Sequence, residues 1–255
     1  LRHTLNFPRG TEQKNSHFLT EFLTEVRLLL SEHAKRRGRA IELIVRIPEH
    51  VAWCLEGGFH VNEWIQKDLV DGLVLGQSLT HVSHLDGFRK LSQKRKVPLF
   101  TCLTPYGDGY SVAPDSVIRG SAANHWSAGS DGLYLFNWFL YGDWRQSLLQ
   151  EIASPDRIDG LEKQFVLMHR VGAPSGVPSA DYVRYNSQAR EAVLPLNLSP
   201  VAGSNHIDTF ITHRSIENSR RYASTELWLA FDFPGSEDDI EIILYGTSLV
   251  RTGII

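Results

Sequence analysis

The chain has 255 residues, a net charge of −3 and a pI near 6.4, with 42% apolar and 22% charged residues, enough to bury a sizeable core in one or two domains. No basic surplus points to nucleic acid, and no apolar run reaches the ~20 residues that span a bilayer. Cys54 and Cys102 lie in separate segments without metal-like spacing, so each is expected to be a buried small apolar residue, and no metal or cofactor is expected.

The first residues, LRHTLNFPRG, enter as if in mid-element. The chain is therefore expected to lack an N-terminal portion, and its start says nothing about targeting. Phe18, Leu19, Phe22, Leu23, Val26, Leu29 and Leu30 recur at helical spacing and predict a helix over 15–37, capped by Asn15 or Ser16 and ended by Gly38. IELIVRIP, 41–48, is a β-rich run stopped by Pro48. A short amphipathic helix is expected over 61–69, a strand over 71–77, a helix over 85–93 and a strand over 97–103. Pro114 opens a helix running to about Ala128. The strand DGLYLFNW follows, then short helices over 143–152 and 156–164.

Four strands thus start near 41, 71, 97 and 131, with one helix filling each interval. That is the rhythm of βα units, and the nearly continuous apolar strands suit a parallel sheet covered on both faces. The phrase Asp-Gly-Leu-x-Leu occurs at 71–75 and again at 131–135. Both copies sit at strand starts, so a structural role is expected of them, because parallel α/β sheets place chemistry at strand ends. From 193 to 255 the pattern changes to alternating, β-like runs with turn signals and no helical partner, an expected antiparallel β module. Residues 171–192, rich in Gly, Pro and Ser, read as the linker.

The strand ends offer Arg46 and Glu49, then Gln77, then Thr101, Thr104 and Asp108, then Asn137 and Trp138. Arg2 and His3 join that rim if LRHTLNF is the tail of an earlier strand. Amides, a guanidinium, an indole and carboxylates on one rim suit a polyhydroxylated ligand: amides both donate and accept, and an indole stacks on a sugar ring. His3, Arg46, Gln77, Asn137 and Trp138 are the candidate carbohydrate-binding residues. Glycoside hydrolysis uses two carboxyl groups, for which Glu49 and Asp108 are the rim candidates. The bland alternatives are a rim amide bonded to loop backbone, a core Trp and two solvated loop charges. His81 and His125 have no partner at ligand spacing.

WIQKDLVDGLVLGQ and RGSAANHWSAGSDGLYLFNW, followed by a β tail, resemble bacterial family 10 glycosyl hydrolase-like TIM-barrel proteins over about residues 1–170. Trp64, Leu69, Val70 and Asp71 match the first phrase of that family, with Asp68 where the family has Gly. Arg119, Ala122, Asn124, Trp126, Gly129, Asp131, Gly132, Tyr134, Phe136 and Asn137 match the second. The resemblance implies the C-terminal portion of a (β/α)8 barrel, from about strand four or five to strand eight, followed by the β module. It implies a glycoside hydrolase-like protein that acts on or binds a carbohydrate. Related retaining enzymes carry an acid/base after strand four and a nucleophile after strand seven. Here no acid lies in 1–7, and TPYGDGY supplies Asp108 but no strand-end Glu. Hydrolysis then depends on a catalytic carboxylate from upstream. The rival is a non-catalytic carbohydrate-binding or surface protein that keeps the barrel. A weaker third reading is a complete open α/β protein of another class with a different strand order; a nucleotide site in it would need a glycine-rich first loop, and no G-x-G-x-x-G or P-loop sequence is present. An incomplete barrel leaves apolar edges open, so self-association is expected.

Overall fold

The computed structural model describes residues 6–76, 84–106, 110–138, 145–167, 190 and 194, and the backbone of 243–244 and 247–248. The chain divides into two units, Leu1–Ser219 and Arg220–Ile255.

In the first unit, α1 (Glu12–Arg37) is followed by β1 (Ile44–Ile47), α2 (Val51–Glu56) and α3 (Val61–Gln66). Then come β2 (Gly72–Leu75), α4 (Leu85–Leu91), β3 (Leu99–Leu103), α5 (Asp115–Ser127), β4 (Gly132–Leu135), α6 (Gln146–Glu151) and α7 (Pro155–Ile158). The four strands form one sheet in the order β1-β2-β3-β4, every neighbouring pair parallel. The fold is α/β, and the strand order follows the sequence as the repeated βα rhythm predicts.

Period-2 alternation divides the strand residues between two faces. The registers put Ile44, Arg46, Gly72, Val74, Phe100, Cys102, Gly132 and Tyr134 on one face. Val45, Ile47, Leu73, Leu75, Leu99, Leu103, Leu133 and Leu135 take the other. The second face meets the helices. Val45, Ile47, Leu73, Leu75 and Leu99 pack with Leu19 and Leu23 of α1, Trp64 and Ile65 of α3 and Phe88 of α4. Leu103, Leu133 and Leu135 pack with Val117, Ile118 and Ala122 of α5, Leu148 of α6 and Ile158 of α7. Among the described residues, neither cluster draws on the first face. That face is half-open: Val74 and Cys102 are buried, but Ile44 is 47% and Tyr134 43% exposed.

The two Asp-Gly phrases have the same structural role. Asp71 donates its backbone N–H to the Leu43 carbonyl (2.8 Å), and its carboxylate accepts the Leu43 N–H (2.7 Å). Asp131 repeats both bonds with Leu99, at 2.9 and 2.7 Å. Each Asp thus clamps the start of its strand to the strand before it. Arginines complete both clamps: Arg27 of α1 and Arg95 on Asp71, and Arg89 of α4 on Asp131. The glycines make room for Phe100. A Cβ on Gly72 would lie 3.3 Å from its ring, and one on Gly132 3.0 Å.

Several boundaries differ from those the sequence suggests. α1 begins at Glu12 after Thr11, not near Asn15 or Ser16, and Ser16 is buried with its hydroxyl bonded back to the Gln13 carbonyl (2.8 Å). Lys35, Arg36 and Arg37 sit in its last turn, where cations favour the dipole, and Gly38 closes it at φ +68°. Pro114 is the N-cap of α5 rather than its first helical residue. α2 has no counterpart in the sequence reading. Asp68 has φ +56° just past the end of α3. That is the left-handed position where glycine is favoured.

In the second unit, β5 (Ile243–Leu244) and β6 (Thr247–Ser248) pair antiparallel. The remainder of the expected C-terminal β module, and the linker apart from Arg190, lie outside the described residues. No helix among the described residues is long and apolar enough to cross a membrane.

Candidate functional site

Parallel pairing brings the C-terminal ends of β1 to β4 to one rim, with Ile47 level with Leu75 and Leu103 level with Leu135. Arg46 lies on the half-open face near that end of β1. Its guanidinium carbon sits 3.9 Å from the centre of the Phe136 ring, just beyond β4. Cys102 of β3 lies beside the same guanidinium. One side chain therefore runs from the first strand of the sheet to the end of the last. Cation–π contact of this kind contributes about 0.5–2 kcal/mol, depending on desolvation.

Glu49 follows Pro48 at the end of β1 and is 5% exposed. Its side chain lies against Gly76, whose φ is +75° and where an added Cβ would be 3.0 Å from the Glu49 Cβ and 3.1 Å from its Oε2. Glycine at 76 thus meets two demands: the left-handed backbone and the room for the carboxylate. The Glu49 carbonyl accepts the His84 N–H (3.0 Å), which fixes the start of α4 to the end of β1.

Two thiols register this charge. Burial pushes Cys102 up to about 12; Arg46 beside it works downward and the Glu49 charge upward. Burial, with Glu49 again adding, raises Cys54 well above the ordinary thiol range. Both are thiols rather than thiolates near neutral pH, so neither is a nucleophile. They are the buried small residues expected from the sequence. Thr104 is also buried at the rim, where its hydroxyl accepts the Tyr106 N–H (3.4 Å).

Of the candidate site residues, Arg46 and Glu49 are brought to one rim together. Asn137 follows β4 as an exposed residue with φ +52°, a backbone that asparagine tolerates better than most side chains. Trp138 is half-buried and packs with the α5–α6–α7 core. Phe136 is the aromatic residue that meets Arg46, and the sequence reading passed it over. Its position two residues beyond Tyr134 could have identified it, since Tyr134 and Phe136 share a face while Leu133 and Leu135 take the other. His125 is a buried residue of α5. His3, Gln77 and Asp108, with Arg2 and His81, lie outside the described residues. Among the described residues no group of three or more His, Cys, Asp or Glu could hold a metal ion.

Chemically, the rim joins a guanidinium, which only donates, to a carboxylate, which when ionised only accepts, beside the apolar faces of Phe136 and Tyr134. Two residues of α5 have structural work around it. Arg119 pairs with Glu151 of α6 (2.8 Å), and Trp126 Nε1 donates to the Ile152 carbonyl (2.9 Å). No known protein-family model matches the chain, and neither does any curated protein.

Proposed function

We propose that the chain is the C-terminal portion of a (β/α)8 barrel, with β1 to β4 as its fifth to eighth strands, and that it is glycosyl hydrolase-like, binding or acting on a carbohydrate at the strand-end rim. The observation that carries this reading is the segregation of faces. In the described sheet every helical contact lies on one side, whereas an open doubly wound sheet has helices on both. The other face, half-open and apolar, is what a barrel turns inward. The rim then holds Arg46 and Glu49 where barrel enzymes keep their polar groups.

In this reading Glu49 and Arg46 hold sugar hydroxyls as acceptor and donor, and Phe136 and Tyr134 offer apolar surface to the ring. Hydrolysis needs a second carboxyl group, for which Asp108 or an acid from another segment is the candidate. The non-catalytic reading has one observation in its favour. Glu49 is almost covered and walled by Gly76, which leaves a carboxyl group little freedom to reach a glycosidic oxygen.

The test uses calorimetry and reducing-end release with a panel of oligosaccharides, on the chain and on Glu49→Gln at matched stability. Turnover that Glu49→Gln abolishes while binding persists supports a hydrolase. Binding without turnover, weakened several-fold by Glu49→Gln or Arg46→Met, supports the binding protein. A loss of one hydrogen bond of this kind is on the order of 1 kcal/mol. Neither binding nor turnover across the panel sinks both.

A further inference from the structure

Immediately after Glu49 lies a cluster that the carbohydrate reading does not use. α2 is capped by an imidazole rather than by a hydroxyl, amide or carboxylate: His50 Nδ1 accepts the Ala52 N–H at 3.0 Å. The ring stacks on Trp53 (5.6 Å, 27°) and meets the edge of the His84 ring at 4.4 Å. Trp53 carries the Arg190 guanidinium on its ring at 4.3 Å, and Arg190 pairs with Glu56 at 2.8 Å. His84 gives its backbone N–H to the Glu49 carbonyl. A single stack therefore links the backbone of Glu49, the cap of α2 and the start of α4.

We propose that His50 is a pH-sensitive cap, neutral when α2 is formed and uncapping α2 on protonation, so that the position of the rim segment at Glu49 responds to pH. The chemistry is that of one nitrogen. A neutral imidazole with its proton on Nε2 leaves Nδ1 free to accept. A protonated imidazole has N–H at both positions and cannot accept the Ala52 N–H. It also puts a positive charge at a helix N-terminus, where the exposed N–H groups already carry partial positive charge.

Around the ring, among the described residues, stand these charged and titratable groups. Glu49 is its neighbour in sequence, with its carboxylate against Gly76. Arg190 beyond Trp53 opposes protonation and is itself offset by Glu56. The His84 ring lies across its edge at 4.4 Å. Cys54, on the buried face of α2, stays a thiol and supplies no charge. Imidazole is the side chain whose charge change is reached in the range of about pH 5 to 8, and that range is the one to search.

The experiment follows the whole chain from pH 8 to pH 5 by two readouts. Nitrogen chemical shifts report the His50 tautomer, expected to be Nε2–H with bare Nδ1 at pH 8. Hydrogen exchange, corrected for its intrinsic pH dependence, reports the amides of 52–56. They are expected to exchange several-fold faster once His50 is protonated, the effect of losing one cap. His50→Asn keeps a capping oxygen but has nothing to titrate, and is expected to hold the slow exchange down to pH 5. His84→Gln is expected to leave the transition in place. An Nδ1–H tautomer at pH 8 overturns the proposal without any variant. So does exchange at 52–56 that is independent of pH, or the same transition persisting in His50→Asn.

Discussion

Gly120 lies in the middle of α5, and replacing it with alanine sets two terms of opposite sign against each other. Alanine is favoured over glycine in a helix interior by about 1 kcal/mol. Against this, a Cβ at 120 would stand 2.9 Å from the Gln164 carbonyl carbon, with its oxygen nearer still, where ordinary contact begins at 3.4 Å. Those neighbours are backbone atoms, not the flexible end of a side chain. The segment around Gln164 must retreat, and the bond it makes there, Gln164 N–H to the Ser116 carbonyl at 2.9 Å, is strained or lost. Overpacking of this kind costs about 1–3 kcal/mol, and a lost backbone bond about 1 kcal/mol more. The net expectation for Gly120→Ala is a destabilisation of roughly 1–3 kcal/mol after the propensity gain is subtracted. Urea unfolding measures it as a lower midpoint with unchanged slope. Gly87→Ala in α4 is the control. Its Cβ would meet a Val51 methyl at 3.1 Å, a side chain that can shift, so its stability should stay within about 0.5 kcal/mol of the parent. A Gly120→Ala chain as stable as the parent, or more stable, would refute the reasoning.

Burial alone would raise the Asp71 carboxyl, but the Leu43 N–H, Arg27 and Arg95 together outweigh it and hold it below the usual range. Its contribution to stability is therefore full above about pH 3.9, the unfolded value, and fades as pH falls through the lower folded value. Asp71→Asn is expected to cost about 1–2 kcal/mol at pH 7, allowing for partial solvent screening, and the gap to the parent should close as acid unfolding curves are extended below about pH 4. Asp68→Gly removes a side chain from a left-handed position but also its ion pair with Arg95 (2.7 Å). Because Asp68 is 73% exposed, the pair counts for little, and thermal unfolding should show a gain of a few tenths to about 1 kcal/mol. The exposed apolar face is expected to drive self-association. Ile44→Lys with Tyr134→Lys should lower the apparent mass in light scattering at matched concentration, and an already monomeric parent would sink that expectation.

The parallel order of β1 to β4 was legible because its signals are long-range in sequence. Each strand is a near-continuous apolar run and each interval holds at least one helix, so few topologies remain. What escaped notice is local and short. α2 covers only Val51–Glu56 and is capped by His50, a residue type outside the usual capping set, so nothing in the sequence announces it. Asn15 and Ser16 look like caps by type, yet the helix starts at Glu12, and Ser16 ends up buried inside. The site was legible in part. Arg46 and Glu49 follow from strand-end position alone. Phe136 did not, because alternation says which residues share a face but not which face the helices leave open. That depends on where the helices pack, and thus on tertiary contacts. Asn137 drew attention as an amide beside an indole, whereas its φ of +52° gives the pair a second, conformational reason to exist.

The rim and the Asp-Gly clamps lie at opposite ends of the sheet, yet the first depends on the second. Side chains alternate with a period of two, so a slip of one residue between neighbouring strands would move every side chain to the other face. The clamps oppose that slip where it would begin. Asp71 fixes β2 against Leu43, and Asp131 fixes β4 against Leu99, each by two bonds to a single residue. From Leu43 the chain runs three residues to Arg46, and from Asp131 five residues to Phe136. With both starts pinned, Arg46, Cys102 and Phe136 arrive on the same face and at the same end, where the guanidinium stands beside the thiol and covers the ring. The clamp residues are thus positioning residues for the rim. This is why the phrase appears twice: in each copy the Asp sets the register, the Gly admits Phe100, and the apolar residues that follow carry that register to the end where the polar groups stand.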